Sequence, residues 1–277
     1  YGKAHCKKQP ISSHNHKANK MIPANLTTQP VNFQNDPRLS RETRSFLNVL
    51  NGAGGPPLES LTPEQARLVL VGAQESVAVD LSGTEESEKD IVSGAYPIKL
   101  NIMRPEGVKG ILPVFIFIHG GGWVLGDYPT HKRMVRDLVV LSGCAGVFVN
   151  YTPAPERQYP HQINEIYAAV QWVAENGNEI QVDGSKLAIV GNSAGGDMAA
   201  ATCLMAKAKG GPDIKLQILF WPVTDTDFET NSYQEFGNDR FLTASLMKWM
   251  FEQYSADQKS RAEIYFSPLK ASLEQLK

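Results

Sequence analysis

The sequence predicts an α/β fold in which a mostly parallel sheet carries helices on both faces. Short, wholly apolar segments such as Val114–Ile118 are typical of strands that are buried on both sides. From residue 130 onwards, segments with helical periodicity separate the strands, and this alternation favours parallel pairing. With 277 residues, of which 42% are hydrophobic, the chain is long enough to bury a large core.

The predicted elements follow one another in a regular order. We expect strands over Tyr96–Arg104, Val114–Ile118, Gly146–Tyr151, Leu187–Val190 and Leu216–Trp221. Helices are expected over Thr130–Leu141, Ile163–Asn176 and Ala194–Lys209. A further amphipathic helix over Asp239–Tyr254 interrupts the alternation, so residues 239–258 are interpreted as a cap segment. Ser267–Ala271 is expected to lead towards another strand.

The N-terminal part of the chain lacks the alternation of strands and helices. Residues 1–20 are mostly polar and basic. A terminal segment with few apolar residues has little to bury against the fold, so we predict a disordered or expression-derived extension. Residues 21–80 are predicted to form a helical cap segment. Ser40–Leu50 is amphipathic, and Thr62 with Gln65 has the spacing of a capping box. Residues 81–277 then form the α/β domain.

Composition excludes several classes of function. The net charge is −2 and no basic stripe is present, so nucleic acid is not expected as a partner. The three cysteines are far apart and lack metal-ligand spacing, which favours a reducing, cytoplasmic location without a bound metal. No apolar run approaches the roughly 20 residues that span a bilayer. The sequence leaves the oligomeric state open.

Lys186–Asp197 contains the pattern G-x-S-x-G between a predicted strand and a predicted helix. In this context the pattern predicts a nucleophile elbow, a tight turn that lifts the hydroxyl of Ser193 clear of the sheet. Glycines on both sides let strand and helix approach without an intervening Cβ. We therefore predict Ser193 as a catalytic nucleophile. The alternative is a serine that caps the following helix.

Three consecutive glycines follow His119 at the end of a predicted strand. Their exposed N–H groups suit the oxyanion of an acyl-transfer intermediate, which needs donors that are oriented in advance. We predict an oxyanion hole made by Gly121, Gly122 and Ala194, with His119 and Gly120 supporting the loop. A glycine turn around a close helix contact is the alternative. Both loops follow parallel strands, whose carboxyl ends carry the sites of open α/β sheets.

Four motifs together resemble the hormone-sensitive-lipase-like esterases of the α/β-hydrolase fold. They are His119–Trp123, Tyr151–Glu156 with Tyr159–Pro160, Gly191–Gly196, and Trp221–Asp225 with Phe241–Thr243. The resemblance covers residues 31–269. It implies a catalytic α/β-hydrolase domain beneath a helical cap that hydrolyses short- to medium-chain carboxylic esters without a cofactor. Asn192 departs from the aspartate that is more frequent at its place in this family.

The proton of the serine hydroxyl needs a base. A histidine takes it, an acid orients the histidine, and in this fold the chain order is serine, acid, histidine. None of the six histidines follows Ser193. His131 and His161 stand near helix starts. His131 is expected to cap its helix or to lie on the surface, and His161 is expected to lie on the surface or to pack. None of the acids after Ser193 is expected to be catalytic: Asp197, Asp213, Asp225, Asp227, Asp239 and Asp257.

We therefore expect that the natural protein extends beyond Lys277. A parallel sheet that stops before a strand leaves an apolar edge unpaired, and two more strands and helices would take about 60 to 80 residues. The resemblance places the catalytic Asp and His there, so the α/β-hydrolase fold lacks its C-terminal strands and residues 1–277 alone are expected to have little activity.

Two functions from different classes stay open. The first is a serine carboxylesterase or lipase-like hydrolase of small-molecule esters. The second is a non-catalytic small-ligand-binding protein on the same fold that has lost its base. An amidase or lactonase would share the same nucleophile. Four aromatic residues near these motifs are expected to pack rather than to line a substrate pocket: Trp123, Phe241, Trp249 and Phe251.

Overall fold

The sheet at the centre of the molecule has six strands. The computed structural model describes residues 30–276, so the predicted extension over residues 1–20 lies outside the described residues. The strands are β1 (Thr84–Ser93), β2 (Tyr96–Pro105), β3 (Leu112–Ile118), β4 (Ala145–Asn150), β5 (Val182–Asn192) and β6 (Ile214–Phe220). Their order in the sheet is β1-β2-β4-β3-β5-β6. Strands β3 to β6 pair in parallel, and β1 and β2 are antiparallel additions.

Helices cover both faces of this sheet, as the alternating pattern predicts. They are α1 (Arg41–Gly52), α2 (Pro63–Glu75), α3 (Tyr128–Ser142), α4 (His161–Asn176), α5 (Ala194–Lys209), α6 (Asn231–Phe236), α7 (Ala244–Tyr254) and α8 (Leu273–Leu276). On one face Phe115 and Phe117 of β3 pack with Val135 and Val139 of α3. Three further buried side chains of β3 belong to the larger cluster, which includes α4 and α5: Val114, Ile116 and Ile118.

Two local predictions need correction. β1 was not predicted, because it is an edge strand whose exposed positions carry charged residues and whose only fully buried side chain is Ile91. The helix predicted from Asp239 begins at Ala244 instead, because the Thr243 hydroxyl caps it by accepting the N–H of Leu246. Asp239 itself has a φ of 55°, which ends any helical path there.

The N-terminal helices begin where the sequence predicts. The Ser40 hydroxyl caps α1, and Thr62 with Gln65 forms the capping box of α2. The segment before α1 is tied to the insertion that follows β6. The N–H of Val31 donates to the carbonyl of Glu235 at 3.1 Å, and Arg240 contacts the buried carboxylate of Asp36 at 3.3 Å.

Neighbouring strands bring the two glycine motifs together. β3 and β5 are adjacent, and Ile118 at the end of β3 is in register with Gly191 near the end of β5. The chain moves from β3 to β4 on one side and later to β5 on the other, which creates the crevice in which open α/β sheets bind ligands.

Strand β6 lies at the sheet edge, and its Leu216 is 54% exposed. Within residues 30–276 no strand follows it: the predicted lead over Ser267–Ala271 contains a single 3-10 turn, Pro268–Lys270, before α8. Of the helices in this described part, none has the length and apolarity needed to cross a membrane.

Candidate active site

Ser193 stands at the junction of β5 and α5 in a strained backbone conformation. Its φ and ψ are 54° and −122°, values that cost a non-glycine residue of order 1–3 kcal/mol and that persist only where the surroundings enforce them. The serine N–H donates to the Phe220 carbonyl of β6 at 2.9 Å, and its carbonyl accepts the N–H of Val223 at 3.2 Å. β6 therefore holds the turn, and the side chain is left half-buried.

Glycines around the serine are required by close backbone contacts. A Cβ on Gly191 would overlap the Gly195 carbonyl, and a Cβ on Gly195 would overlap the Ile118 carbonyl. The start of α5 thus lies directly against the end of β3. This is the tight strand-to-helix turn that the elbow pattern predicts.

The glycine loop after β3 folds back through left-handed conformations. Gly121 and Gly122 have φ values of 113° and 61°, and the Gly121 carbonyl accepts the N–H of Leu125 at 2.8 Å. A Cβ on Gly121 would overlap the Leu125 carbonyl, and one on Gly122 would overlap Sδ of Met250. Glycine is needed at both positions for conformation and for space.

Gly120 is the point where this loop contacts the elbow. A Cβ there would lie 2.6 Å from the Asn192 carbonyl oxygen and 3.1 Å from Cβ of Ser193. The Gly120 N–H donates to Oδ1 of Asn192 at 3.0 Å. In the described part of the chain, no acceptor is bonded to the amides of Gly121, Gly122 or Ala194. Three unoccupied donors therefore lie in the two loops that meet at Ser193.

His119 supports the loop from behind. Its ring stacks on Tyr151 at 4.2 Å between centroids, and Nδ1 donates to the Gly120 carbonyl at 2.8 Å. The Tyr151 hydroxyl donates to the His119 carbonyl at 3.0 Å. Complete burial, with a smaller effect of nearby His131, lowers the pKa of His119 to about 3. The ring is therefore neutral near pH 7.

Comparison with known proteins agrees with this geometry. Residues 115–277, more than half of the chain, match the family described as alpha/beta hydrolase fold. The chain belongs to the α/β-hydrolase family. A crystal structure of a thermostable esterase from Pseudomonas putida ECU1011 has a TM-score of 0.86 and 56% identity, covering 87% of this chain and 76% of that one.

Two curated relatives are more distant. A protein of Acanthamoeba polyphaga mimivirus named as an alpha/beta hydrolase is 34% identical over 229 residues, which is 83% of this chain and 65% of the relative. Carboxylesterase NlhH of Mycobacterium tuberculosis is 36% identical over 160 residues, 56% of this chain and 50% of the relative. The chain thus spans half to two thirds of the length of these two proteins.

No histidine in the described part of this α/β hydrolase is hydrogen-bonded to Ser193. His131 is half-buried, with Nε2 3.5 Å from Nδ2 of Asn192, so it packs behind the loop rather than on the surface. His161 lies 3.3 Å from the Glu165 carboxylate at the start of α4. His5, His14 and His16 lie outside the described residues.

Asp197 is the one acid of α5 close behind the nucleophile. Its N–H donates to the Ser193 carbonyl at 3.0 Å, but its carboxyl group is completely buried. Burial raises its pKa well above the usual range, and the Trp123 indole opposes this only in part. Burial therefore disfavours the charged form of Asp197, and we interpret it as a structural group.

Most of the other aspartates after Ser193 are bonded to groups elsewhere in the chain. Asp213 pairs with Lys215 and Asp225 with Lys270, and Asp227 and Asp257 accept local backbone N–H groups. Asp239 lies in the turn before α7. Within residues 30–276, no group of three or more His, Cys, Asp or Glu side chains is arranged to hold a metal ion.

The aromatic residues near the site divide into two kinds. Trp123 and Phe251 are fully buried with ring centroids 5.0 Å apart, and Trp249 is partly buried against the same cluster, so these three are packing residues. Phe241 is 63% exposed. Trp221, which follows β6, is 69% exposed and has a φ of 39°.

The predicted strand Leu216–Trp221 is one residue too long at its end, because β6 ends at Phe220 and Trp221 is strained and exposed. Its only signal in the sequence is that it follows an apolar run and precedes proline, which restricts its backbone. The strain and the exposure of Trp221 follow from the end of β6 at Phe220, whose carbonyl accepts the N–H of Ser193.

Proposed function

We propose that this chain carries the nucleophile and oxyanion donors of a serine carboxylic-ester hydrolase that acts on short- to medium-chain acyl esters. The observation that carries the proposal is the meeting of Ser193 with three unoccupied backbone N–H donors, those of Gly121, Gly122 and Ala194. The strained backbone of the serine supports a functional role, because helix capping alone requires no such strain.

The reaction would proceed through an acyl-enzyme. The Ser193 hydroxyl loses its proton to a base while its oxygen attacks the ester carbonyl carbon, and the carbonyl oxygen becomes an oxyanion. The three N–H groups stabilise this charge as it forms, each donor being worth about 10²–10³ in kcat. Collapse releases the alcohol with a proton from the base, and water then hydrolyses the acyl-enzyme by the same steps.

We further propose that the base and its orienting acid lie outside residues 30–276. The three described histidines support this, because each is engaged with groups other than Ser193. Without the base, the oxyanion donors and binding alone would leave roughly 10³–10⁴ of acceleration over water.

The helices outside the sheet are proposed to form the cap, in two parts. The first is residues 30–80, the part of the predicted segment 21–80 that the structure describes, and the second is the segment near 239–258. Met250 of α7 lies directly on Gly122. Arg67 of α2 donates to the Val124 carbonyl at 2.7 Å and the Ala154 carbonyl at 2.9 Å. Both parts therefore contact the glycine loop or the residues that follow it.

Cys144 and Cys203 are free thiols, which supports the proposed cytoplasmic location.

The test is hydrolysis of p-nitrophenyl acetate and butyrate by the full-length protein. Ser193→Ala should abolish turnover and also prevent labelling by a fluorophosphonate, which reacts with activated serines. Ser87→Ala, an exposed serine of β1, is the matched control and should behave as wild type.

Two alternatives have distinct outcomes in the same experiment. A folded, full-length wild type without turnover or labelling would indicate a ligand-binding protein instead. Faster cleavage of the matching anilide or of a lactone than of the acyclic ester would favour an amidase or a lactonase.

A further inference from the structure

Asn192 precedes the nucleophile, and its side chain connects two elements that are separate in sequence. Oδ1 accepts the N–H of Gly120 at 3.0 Å, and Nδ2 lies 3.5 Å from Nε2 of His131. The carboxamide therefore bridges the glycine loop and the first turn of α3. No other side chain in the described residues is hydrogen-bonded to the N–H of Gly120.

The hydrogen bonds of His131 fix which of its nitrogens carries the proton. Nδ1 lies 3.0 Å from the Thr130 hydroxyl and 3.3 Å from the Asp127 carbonyl. The Thr130 hydroxyl donates its own proton to the Asp127 carbonyl at 2.9 Å, and a carbonyl only accepts, so Nδ1 is the donor. In a neutral ring Nε2 is then an acceptor, and it faces Nδ2 of Asn192, which is a donor. Donor and acceptor match along the whole path from Asp127 to Gly120.

The surroundings of His131 favour the neutral ring. The groups facing it are the Asp127 carboxylate at the start of its own helix, the His119 ring at 5.3 Å from the glycine loop, and the Phe117 ring at 6.3 Å from β3. Burial lowers the pKa of His131, and Asp127 offsets this only in part. A carboxamide at residue 192 suits both of its neighbours in this state.

We propose that Asn192, held by His131, is a positioning residue that sets the distance between the glycine loop and Ser193. This inference rests on the proposed function, since the distance matters for oxyanion stabilisation. The contact is tight, because a Cβ on Gly120 would lie only 3.1 Å from Cβ of Ser193. Small displacements of Gly120 therefore move the donors of the next two residues relative to the reacting oxygen.

An aspartate at this position would behave differently. Its Oδ1 could still accept the N–H of Gly120, but its second oxygen would meet the lone pair of Nε2 on His131. The pair is attractive only when His131 binds a proton there, so the bridge would hold at low pH and weaken as pH rises through the pKa of His131. With asparagine the bridge needs no proton.

The first test is the kinetics of full-length Asn192→Ala and Asn192→Asp with p-nitrophenyl acetate. We expect Asn192→Ala to lower kcat by about 10- to 100-fold while KM changes by less than about threefold. For Asn192→Asp, the ratio of its kcat to that of wild type should fall by at least about fivefold between roughly pH 6 and pH 9. Asn178→Asp, exposed at the opposite end of β5, is the matched control. Wild-type kcat in Asn192→Ala, or a pH-independent ratio for Asn192→Asp, would overturn the proposal.

The second test does not depend on turnover. NMR of ring-labelled histidines, with His131 assigned by its loss in His131→Gln, should show this ring neutral near pH 7 in wild type and protonated in Asn192→Asp. An unchanged His131 titration in Asn192→Asp would overturn the proposal by itself. If wild type hydrolyses esters and Asn192→Ala is fully active, the proposed function stands and this inference fails. If wild type is inactive but the ring titrates as expected, the proposed function fails while the Asn192–His131 bridge stands.

Discussion

Gly120→Ala tests whether the spacing between the glycine loop and the elbow controls catalysis. Gly120 has no left-handed φ, so alanine meets no backbone strain there. Its Cβ would lie 2.6 Å from the Asn192 carbonyl oxygen, 2.7 Å from Nδ2 of Asn192 and 3.1 Å from Cβ of Ser193. All three atoms belong to the elbow, and all three distances are below the 3.4 Å at which ordinary contact begins. One loop must therefore move away from the other.

Two costs set the expected magnitude. Overpacking of a tight contact typically costs about 1–3 kcal/mol of stability. Complete loss of one oxyanion donor costs about 2.7–4 kcal/mol in the barrier, and a displaced loop loses part of that. We therefore expect kcat to fall by about 10- to 100-fold, and the free energy of unfolding to fall by no more than about 3 kcal/mol.

The measurements are initial rates with p-nitrophenyl acetate over a range of concentrations, and urea unfolding of the same samples. Gly72→Ala is the matched control, because Gly72 lies inside α2 and an added Cβ meets no atom within 4 Å. It should keep the wild-type kcat and gain about 0.8–1 kcal/mol of stability from its better helix propensity. Wild-type kcat in Gly120→Ala would refute the reasoning, as would a change confined to KM.

Three further predictions concern other parts of the site. The pKa of His119 is about 3 in the folded protein, against an ordinary value of 6.5. As the pH falls, the unfolded chain is protonated at this residue before the folded protein is. The free energy of unfolding should therefore fall by about 2 kcal/mol between pH 6.5 and pH 4.5. His119→Gln should flatten this loss in urea unfolding at the two pH values. Arg67→Lys keeps the charge but loses the paired guanidinium hydrogen bonds to the Val124 and Ala154 carbonyls. The free energy of unfolding should therefore fall by about 1–3 kcal/mol, and chymotrypsin should cut α2 faster. An unchanged digestion pattern would contradict this. Trp221→Gly should relieve strain of about 1 kcal/mol and change the butyrate-to-acetate ratio of kcat/KM, whereas an unchanged ratio would place Trp221 outside the substrate site.

The parts of the fold that sequence reasoning predicted are those with a strong local signal. The apolar run of β3 and the helical periods of α4 and α5 follow from burial on one or both sides. The capping box at Thr62 likewise follows from local hydrogen bonds. β1 lacks such a signal, because charged side chains occupy its solvent face and its pairing with β2 alone makes it a strand.

The candidate site likewise has features that the sequence predicts and others that it does not. The glycines around Ser193 are visible in the sequence and predict the elbow, because backbone contacts leave no room for a side chain at these positions. The bridge from Asn192 to His131 joins residues that are far apart in the chain and close only through the register of β3 with β5. His131 was therefore expected to cap or to lie on the surface. Pairwise contacts of this kind have no periodicity, so a single sequence does not reveal them.

Gly120→Ala and Asn192→Ala both alter the contact between Gly120 and the Asn192 side chain. The double variant tests whether both lower kcat by displacing the glycine loop. The added methyl group meets Nδ2 of Asn192 at 2.7 Å, and Asn192→Ala removes that atom. The backbone carbonyl of residue 192 stays in place, so the relief is partial. If both variants lower kcat by displacing the glycine loop, the double variant should lose clearly less than the product of the two single losses, because a loop already displaced is not displaced again. Multiplicative losses would mean that the amide of Asn192 acts on catalysis by a route other than the position of Gly120.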